Sequence, residues 1–279
     1  MYSNPLISSA DALALQYDPD VRFIDATWYM PNVPSNAYET YLLEHIPGAV
    51  YFDIDKIADP SISLPHVFPT QEIFEEAVGA LGISAKDRVI AYDRGNFVAS
   101  ARAWWMFRAF GHENINVLDG GLQAWKSAGG DLAEDTHEIE NTTYQSQTLV
   151  DAIISREAVV ESLSDNSVAV VDARSPGRFT GTEPEPRPGL RGGHIPGSTN
   201  MYYGDVLNED GTMKGSDAIA ELLNSLSVDN DQQIVSTCGS GVTAAIILLA
   251  IYQVRQDGLR MYDGSWTEWA LHPDSPMSN

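Results

Sequence analysis

The sequence repeats itself, and this restricts the chain to folds that can be built twice. The tetrapeptide His-Ile-Pro-Gly stands at residues 45–48 and again at residues 194–197. Three further segments recur in the same order and at nearly the same spacing: residues 23–27 as 170–174, residues 89–93 as 234–238, and residues 118–121 as 262–265. Four matches at nearly one offset predict two diverged copies of one domain.

Each copy alternates short apolar runs with longer stretches of helical periodicity. This alternation is typical of βαβ units, so it predicts an α/β fold in which each copy forms a mainly parallel sheet with helices on both faces. We expect strands at residues 22–25, 50–52, 88–92, 115–118, 169–172, 199–201, 233–237 and 259–262. We expect helices at residues 71–81, 99–110, 121–127, 219–226 and 242–253.

A polar stretch with little periodicity separates the two copies. We therefore predict an N-terminal domain at residues 1–132, a linker at residues 133–150 and a C-terminal domain at residues 151–279. The aromatic cluster at residues 104–110 has helical spacing, which favours a core or a domain interface over a surface that stacks on a ligand.

The charge of the chain restricts its partners. The 279 residues include 16 Lys and Arg against 39 Asp and Glu, a formal net charge of −23 at pH 7. This charge argues against nucleic acid and anionic membranes as partners, and no apolar run is long enough to span a bilayer. Because the N-terminal residues lack the pattern of a signal peptide, we expect a cytoplasmic protein. We also expect a monomer.

The single cysteine, Cys238, excludes an internal disulfide. Together with six scattered histidines it offers no zinc-binding spacing, so we expect no metal and no cofactor. Cys238 ends a predicted buried strand and precedes a Gly-Ser-Gly loop and an apolar helix. Unpaired amides and the helix dipole favour negative charge at such a place, so the thiol should lose its proton readily and act as a nucleophile.

Cys238 has a simpler alternative, that of a small buried hydrophobe. A residue that only fills space needs no glycine-rich loop, and we therefore prefer the nucleophile and expect its sulfur to be reachable from solvent. The repeat supplies an internal control, because Asp93 occupies the corresponding place in the first copy. A carboxylate cannot perform thiol chemistry, so we predict that the second copy is catalytic and that the first is a scaffold and one wall of a cleft.

The paired His-Ile-Pro-Gly motifs and the Cys-Gly-Ser-Gly-Val-Thr loop at residues 238–243 resemble the tandem rhodanese-domain sulfurtransferases over almost the whole chain. Within this family the loop is most similar to that of the 3-mercaptopyruvate sulfurtransferases. Thiosulfate sulfurtransferases typically carry basic residues directly after the cysteine, whereas Gly239 and Ser240 are small and neutral. A dianionic donor would favour positive charge there.

The resemblance implies a reaction and a set of residues. Cys238 would take sulfur from 3-mercaptopyruvate as a persulfide, release pyruvate, and pass the sulfur to thioredoxin, another thiol or cyanide. Loop residues would form the cradle that binds the substrate and the persulfide: Gly239, Gly241, Val242 and Thr243.

Two arginines lie in a loop that can reach the same sheet edge. A guanidinium donates two parallel hydrogen bonds, which suits a carboxylate next to a ketone. The residues alone leave open whether Arg178 and Arg187 bind substrate or pair with Glu183 and Glu185 on the surface. The resemblance favours substrate binding.

The first copy contributes Asp55 and His66. A lone histidine in a loop is usually solvated or structural, but the resemblance implies that Asp55, His66 and Ser240 form a hydrogen-bonded catalytic triad. Such a relay lets a carboxylate orient an imidazole that polarises a hydroxyl.

Three other functions stay open at this point. The first is a thiosulfate sulfurtransferase, and the second is a persulfide carrier without turnover. The third, a cysteine phosphatase, needs an arginine six residues after the cysteine, where this chain has Ala244.

Overall fold

The computed structural model describes residues 4–30, 33–95, 97–134, 136, 138–147 and 151–278. Within these residues the chain forms two five-stranded sheets. The first sheet contains β1 (Leu6–Ile7), β2 (Val21–Asp25), β3 (Val50–Tyr51), β4 (Arg88–Tyr92) and β5 (Ile115–Leu118). The second contains β6 (Ile153–Ile154), β7 (Val168–Asp172), β8 (Thr199–Asn200), β9 (Gln233–Thr237) and β10 (Leu259–Tyr262).

In the part of the chain that the structure describes, ten α-helices accompany the strands. In the first copy these are α1 (Ser9–Ala14), α2 (Ala37–Leu43), α3 (Gln71–Ala80), α4 (Ser100–Ala109) and α5 (Gly121–Ser127). In the second copy they are α6 (Arg156–Ser162), α7 (Pro176–Phe179), α8 (Ser216–Ser225), α9 (Ala244–Tyr252) and α10 (Ser265–Leu271). A short 3₁₀ helix covers Tyr203–Val206. None of the helices that the structure describes is long and apolar enough to cross a bilayer.

The two sheets have the same topology. Their strand orders are β1-β5-β4-β2-β3 and β6-β10-β9-β7-β8, and all neighbouring strands run parallel. The central strands are β4 and β9, so the residues that follow them, Asp93 and Cys238, stand at equivalent carboxyl edges. The predicted α/β fold of two parallel sheets is confirmed, and ligand sites in such sheets lie at this edge.

The apolar core explains how the two sheets are joined. One face of each sheet has its own cluster, built around Trp125 in the first copy and Trp269 in the second. The opposite faces share a single continuous cluster to which α4 and α9 contribute. Because α9 is apolar on all sides and fully buried, it packs both on its own sheet and against α4. The expectation that residues 104–110 form a core or an interface is confirmed.

Predicted and observed elements differ mainly at short segments. The strands at residues 88–92, 115–118, 233–237 and 259–262 have the expected bounds. The helix expected from residue 242 begins at Ala244, because Val242 and Thr243 belong to the loop. Two-residue strands such as β1 and β6 and short helices such as α7 were missed, since they span too few residues for a period to show.

Candidate active site

The carbonyl groups of the loop after β9 accept hydrogen bonds from neighbouring segments of the protein. The backbone N–H of Trp266, at the start of α10, donates to the Cys238 carbonyl at 2.9 Å. Thr267 donates to the Gly239 carbonyl twice, from its backbone N–H at 3.0 Å and from Oγ1 at 2.6 Å. The N–H groups of residues 239–243 donate to no acceptor within the described part of the chain. A row of unpaired amides next to a cysteine can bind an anion.

Glycine is required at the far end of this loop. Gly241 has φ +78°, and a Cβ there would stand 2.8 Å from the Asp263 carbonyl oxygen. Its own carbonyl accepts from Arg102 Nη1 at 3.1 Å. A side chain at position 241 would therefore push the loop away from the residues that hold it.

The structure corrects the expected exposure of Cys238. The residue is only 2% exposed, so the expectation of a solvent-reachable sulfur is wrong. It is buried because its strand is central in the sheet and the loops above it close over it. Its surroundings include charge as well as hydrocarbon, because the half-buried Arg187 guanidinium interacts electrostatically with Cys238. Burial lowers the pKa of Arg187, and attraction to the Cys238 thiolate opposes this shift.

Arg178 also reaches the loop. A Cβ built on Gly239 would stand 2.7 Å from Arg178 Nη2, so the guanidinium occupies space that only a glycine leaves free. Arg178 donates to Glu185 Oε2 from Nη2 at 2.6 Å and from Nε at 3.2 Å. The Glu185 side chain is 2% exposed. Arg178 therefore does pair with Glu185, but this pair is buried instead of lying on the surface, and it orients the arginine toward the loop.

Within the described residues, neither Glu183 nor Arg187 forms the surface ion pair that was the alternative to substrate binding. Glu183 accepts from Ser175 Oγ at 2.9 Å. Within the described residues, no hydrogen bond or ion pair engages the Arg187 guanidinium. Arg187 is therefore a half-buried cation beside the cysteine whose donors are unused within the described residues, which is the arrangement that an anionic ligand needs.

A buried arginine that sequence reasoning missed extends this network. Arg174 donates to Asp172 Oδ2 at 2.6 Å and to Glu185 Oε1 at 2.8 Å, and both carboxylates are almost fully buried. Its guanidinium lies over the Trp266 ring at 4.3 Å. Attraction to the two carboxylates raises the pKa of Arg174 despite the opposing effect of burial. The signal was in the repeat, since position 174 is Arg where the first copy has Thr27.

Asp55 and His66 meet as the resemblance implied. His66 Nδ1 contacts an Asp55 carboxylate oxygen, and the other oxygen accepts from Trp28 Nε1 at 2.8 Å. Burial opposes ionisation of Asp55, but its hydrogen bond with His66 and the attraction between them lower its pKa. The Trp28 ring also meets the imidazole edge-on at 5.0 Å between centroids. These contacts fix the orientation of the His66 ring.

The third member of the expected triad is not connected. His66 Nε2 is buried without a hydrogen-bond partner, and no hydrogen bond joins Ser240 Oγ to it within the described residues. The expectation of a complete hydrogen-bonded triad is therefore wrong for this structure. The physical reason is that Ser240 lies on a loop of the second copy and His66 on a loop of the first, so their separation depends on how the copies are joined.

Two further charged residues at the site were missed. Arg102 of α4 and Asp263, which follows β10, form a buried ion pair with 2.6 Å between Nη1 and Oδ1. Arg102 lies among the apolar and aromatic residues in the first half of α4, and this was the available signal, because a buried charge needs a partner.

The model for the rhodanese-like domain matches this chain twice, at residues 8–128 and 155–272. The chain belongs to the rhodanese family. The two matches coincide with the two parallel sheets, and the resemblance seen in the sequence is confirmed.

Similar proteins are sulfurtransferases. A mitochondrial thiosulfate/3-mercaptopyruvate sulfurtransferase of Arabidopsis thaliana is 37% identical, covering 99% of this chain and 79% of the relative. A 3-mercaptopyruvate sulfurtransferase of Escherichia coli K12 is 37% identical over 93% of this chain and 92% of the relative. The crystal structure of SseA from Escherichia coli, described as a 3-mercaptopyruvate sulfotransferase, superposes with a TM-score of 0.87 at 34% identity, covering 95% and 99% of the two chains. Rhodanese-type sulfur transfer is the activity that this family membership supports.

Proposed function

We propose that this rhodanese-family chain transfers sulfur from 3-mercaptopyruvate to a thiol through a persulfide on Cys238. The observation that carries the proposal is the convergence of three features on one sulfur. Within the described residues, the amides of residues 239–243 have no acceptor and Arg187 has unused donors beside Cys238, and Arg178 is packed against Gly239. Together they form a site for a small anion with a transferable sulfur atom.

The first half-reaction uses the arginines to hold the substrate. Arg187 and Arg178 bind its carboxylate and ketone oxygens and direct its sulfur toward Cys238. The Cys238 thiolate attacks that sulfur, and the bond between the sulfur and the methylene carbon breaks. The electron pair of this bond passes to the carbon, so pyruvate leaves as its enolate. The arginines stabilise the enolate oxygen until the methylene carbon takes up a proton.

The second half-reaction returns the enzyme to its starting state. The persulfide on Cys238 is stabilised by the amides of the cradle. The thiolate of an acceptor, for which we propose thioredoxin, attacks the outer sulfur. A new sulfur–sulfur bond forms on the acceptor, and Cys238 leaves as a thiolate, which completes the cycle without net oxidation or reduction.

We propose that Asp55, His66 and Ser240 assist the first half-reaction as proton-handling groups. Asp55 holds the imidazole of His66, whose free Nε2 is the position from which a proton can move. Ser240 is 8% exposed and lies in the loop next to the reacting sulfur. Binding of substrate between the two copies supplies the link that connects them. Asp93, which ends the equivalent strand of the first copy (residues 1–132), takes no part in the reaction.

The direct test is sulfur loading, measured by intact mass after incubation with 3-mercaptopyruvate. We expect the wild-type chain to gain one sulfur atom and release one pyruvate, and Cys238→Ser to do neither. Wild-type protein that releases no pyruvate would contradict the proposal.

Thiosulfate is the rival donor, because the Arabidopsis relative is named for both substrates. A side chain at position 239 would meet Arg178 Nη2, so this arrangement disfavours the additional basic residue that a dianion favours after the cysteine. We expect higher kcat/KM with 3-mercaptopyruvate than with thiosulfate. In Arg187→Ala this preference should fall by about a hundredfold, the value of one charged hydrogen-bonding group. Repeated pyruvate release per protein excludes a carrier without turnover.

We also propose a cytoplasmic location and a monomeric state. Support for the location comes from the sequence patterns alone, and one relative is mitochondrial by name. Cell fractionation and light scattering of the purified chain test these two points.

A further inference from the structure

The proposed catalytic groups come from both copies, so their geometry depends on how the copies are joined. Cys238 and Ser240 lie on the loop of the second copy, whereas Asp55 and His66 lie on a loop of the first. The residues that join these two loops therefore control the distance between the imidazole and the reacting sulfur.

Arg102 crosses from the first copy to the second. It is 1% exposed and lies in α4, where the two copies pack together. Its Nη1 donates to the Gly241 carbonyl of the cysteine loop at 3.1 Å and to Asp263 Oδ1 at 2.6 Å. Its Nη2 donates to the carbonyl of His66. One rigid guanidinium thus holds the loop of the histidine and the loop of the cysteine at the same time.

Asp263 crosses in the opposite direction. It follows β10 in the second copy and accepts from Arg102 through Oδ1. Its Oδ2 accepts from the backbone N–H of Phe68, two residues after His66, at 2.7 Å. The Phe68 ring in turn lies 4.4 Å from the guanidinium carbon of Arg102. Each copy therefore sends one charged side chain into the active-site loop of the other.

The backbone around His66 shows why external support is needed. His66 has φ +58°, a left-handed conformation that costs free energy for a residue with a side chain. Hydrogen bonds to the carbonyl of His66 and to the N–H of Phe68 flank this residue and hold it in place. Loss of either bond allows the loop to relax toward an ordinary conformation and moves the imidazole.

We propose that Arg102 and Asp263 are positioning residues that set the imidazole of His66 against the cysteine loop across the boundary between the copies. The proposal rests on the proposed function, since it assigns a purpose to His66. It makes a specific prediction. If Arg102 and Asp263 act through His66, substituting them should change kcat little once His66 is absent. A pair that only stabilises the fold would weaken the enzyme to the same degree in either background.

The experiment is a double-mutant cycle on pyruvate release with 3-mercaptopyruvate as the donor. We expect Arg102→Met to lower kcat at least about tenfold and to leave KM within about twofold, because Arg178 and Arg187 are not touched. In a His66→Ala background the same substitution should lower kcat less than about threefold. Equal factors in both backgrounds, or a change confined to KM, would overturn the proposal.

A second variant guards against loss of folding. Asp263→Asn keeps the size of the side chain and one acceptor oxygen, and we expect it to repeat the same cycle with a smaller factor. Arg102→Lys keeps the charge but not the fork, so it should stay impaired if the two-loop contact matters. Full activity in Arg102→Lys would show that charge alone suffices and would contradict the positioning role.

Phe23→Leu is the matched control for stability, because Phe23 packs against Trp125 in the separate apolar cluster on the other face of the first sheet. At a similar loss in melting temperature, it should lower kcat by the same small factor with and without His66. Failure of the proposed function shows separately, since wild-type protein would then release no pyruvate at all.

Discussion

The two copies place opposite residues in the same cradle. After β4, the Asp93 carboxylate accepts from the backbone N–H groups of Gly95 at 2.9 Å, Ala99 at 3.2 Å and Ser100 at 3.1 Å, and from Ser100 Oγ at 2.9 Å. After β9, the amides of residues 239–243 have no partner within the described chain, and the residue beneath them is Cys238.

The backbone around both loops is otherwise arranged alike. The N–H of Leu122 donates to the Asp93 carbonyl at 2.8 Å, as that of Trp266 does to the Cys238 carbonyl at 2.9 Å. The fold thus builds an anion-binding loop twice and fills one of them permanently with its own carboxylate. Burial raises the pKa of Asp93, while the amides that it accepts from oppose the shift. An occupied cradle is structural, and an empty one is available for a substrate or a persulfide.

Asp25 and Asp172 are a second pair of equivalent positions whose surroundings differ between the copies. Asp25 in the first copy accepts from the Thr27 N–H at 2.9 Å, and burial raises its pKa to about 6. Asp172 in the second copy is paired with the buried Arg174, whose other partner, Glu185, orients Arg178. The second copy therefore has a buried arginine, Arg174, bonded to this aspartate, where the first copy has Thr27.

The largest effect is expected from exchanging the two strand-end residues. In the double variant Cys238→Ser with Asp93→Cys, the first loop carries the only thiol. The adjacent Arg94 is engaged by Glu44 and the Thr40 carbonyl, unlike Arg187, whose donors are unused within the described residues. We expect no pyruvate release from 3-mercaptopyruvate, a loss of at least about 10⁴-fold relative to wild type. Steady-state kinetics and intact mass measure it. Sulfur loading on position 93 would show that the cradle and thiol suffice and would break the comparison.

The next effect concerns the two buried aspartates. Asp172→Asn removes one of the two carboxylates that neutralise the buried Arg174 guanidinium and leaves only Glu185, so we expect a loss of about 3 kcal/mol in the free energy of unfolding at pH 7. Asp25→Asn removes no ion pair. Because the folded state raises the pKa of Asp25 to about 6, wild-type folding binds protons and its Asp25-dependent stability falls as pH rises from about 4 to 6.

Asp25→Asn should therefore abolish that decline, worth about 2–3 kcal/mol in total, and be at least as stable as wild type at pH 7. Melting temperatures of the two variants and wild type between pH 4 and pH 7 provide the measurement. A destabilised Asp25→Asn at pH 7 would mean that the Asp25 carboxylate has a stabilising partner, as Asp172 has in Arg174.

The smallest expected effect is a difference in the free energy of unfolding between variants of the two loops. Asp93→Ala leaves several buried amides and the Ser100 hydroxyl without an acceptor, so it should cost about 2 kcal/mol. Cys238→Ala removes no hydrogen-bond acceptor and should change the free energy of unfolding by less than about 1 kcal/mol. Urea unfolding of both variants tests this difference. Equal losses would indicate that the cysteine loop is as internally satisfied as the aspartate loop.

Some features of the site were accessible from residue patterns. The repeat predicted two parallel sheets, and the equivalence of Asp93 and Cys238 predicted which copy could perform thiol chemistry. Arg102 and Asp263 were not accessible, because they are 161 residues apart in the chain and meet only where the copies pack. The exposure of Cys238 was predicted wrongly, since burial depends on loops that arrive from elsewhere in the fold.

By itself the sequence determined the doubled α/β architecture, the strand that ends in the cysteine and the glycine-rich loop after it, because periodicity and glycine placement act over a few neighbouring residues. Tertiary structure alone decided that, within the described residues, the amides of the cysteine loop have no acceptor and no hydrogen bond joins His66 to Ser240. It also decided that Glu185 orients Arg178 toward the loop. Those outcomes depend on distances between segments far apart in the chain, and such distances are set by the packing of α4 against α9 and by the buried charges between them.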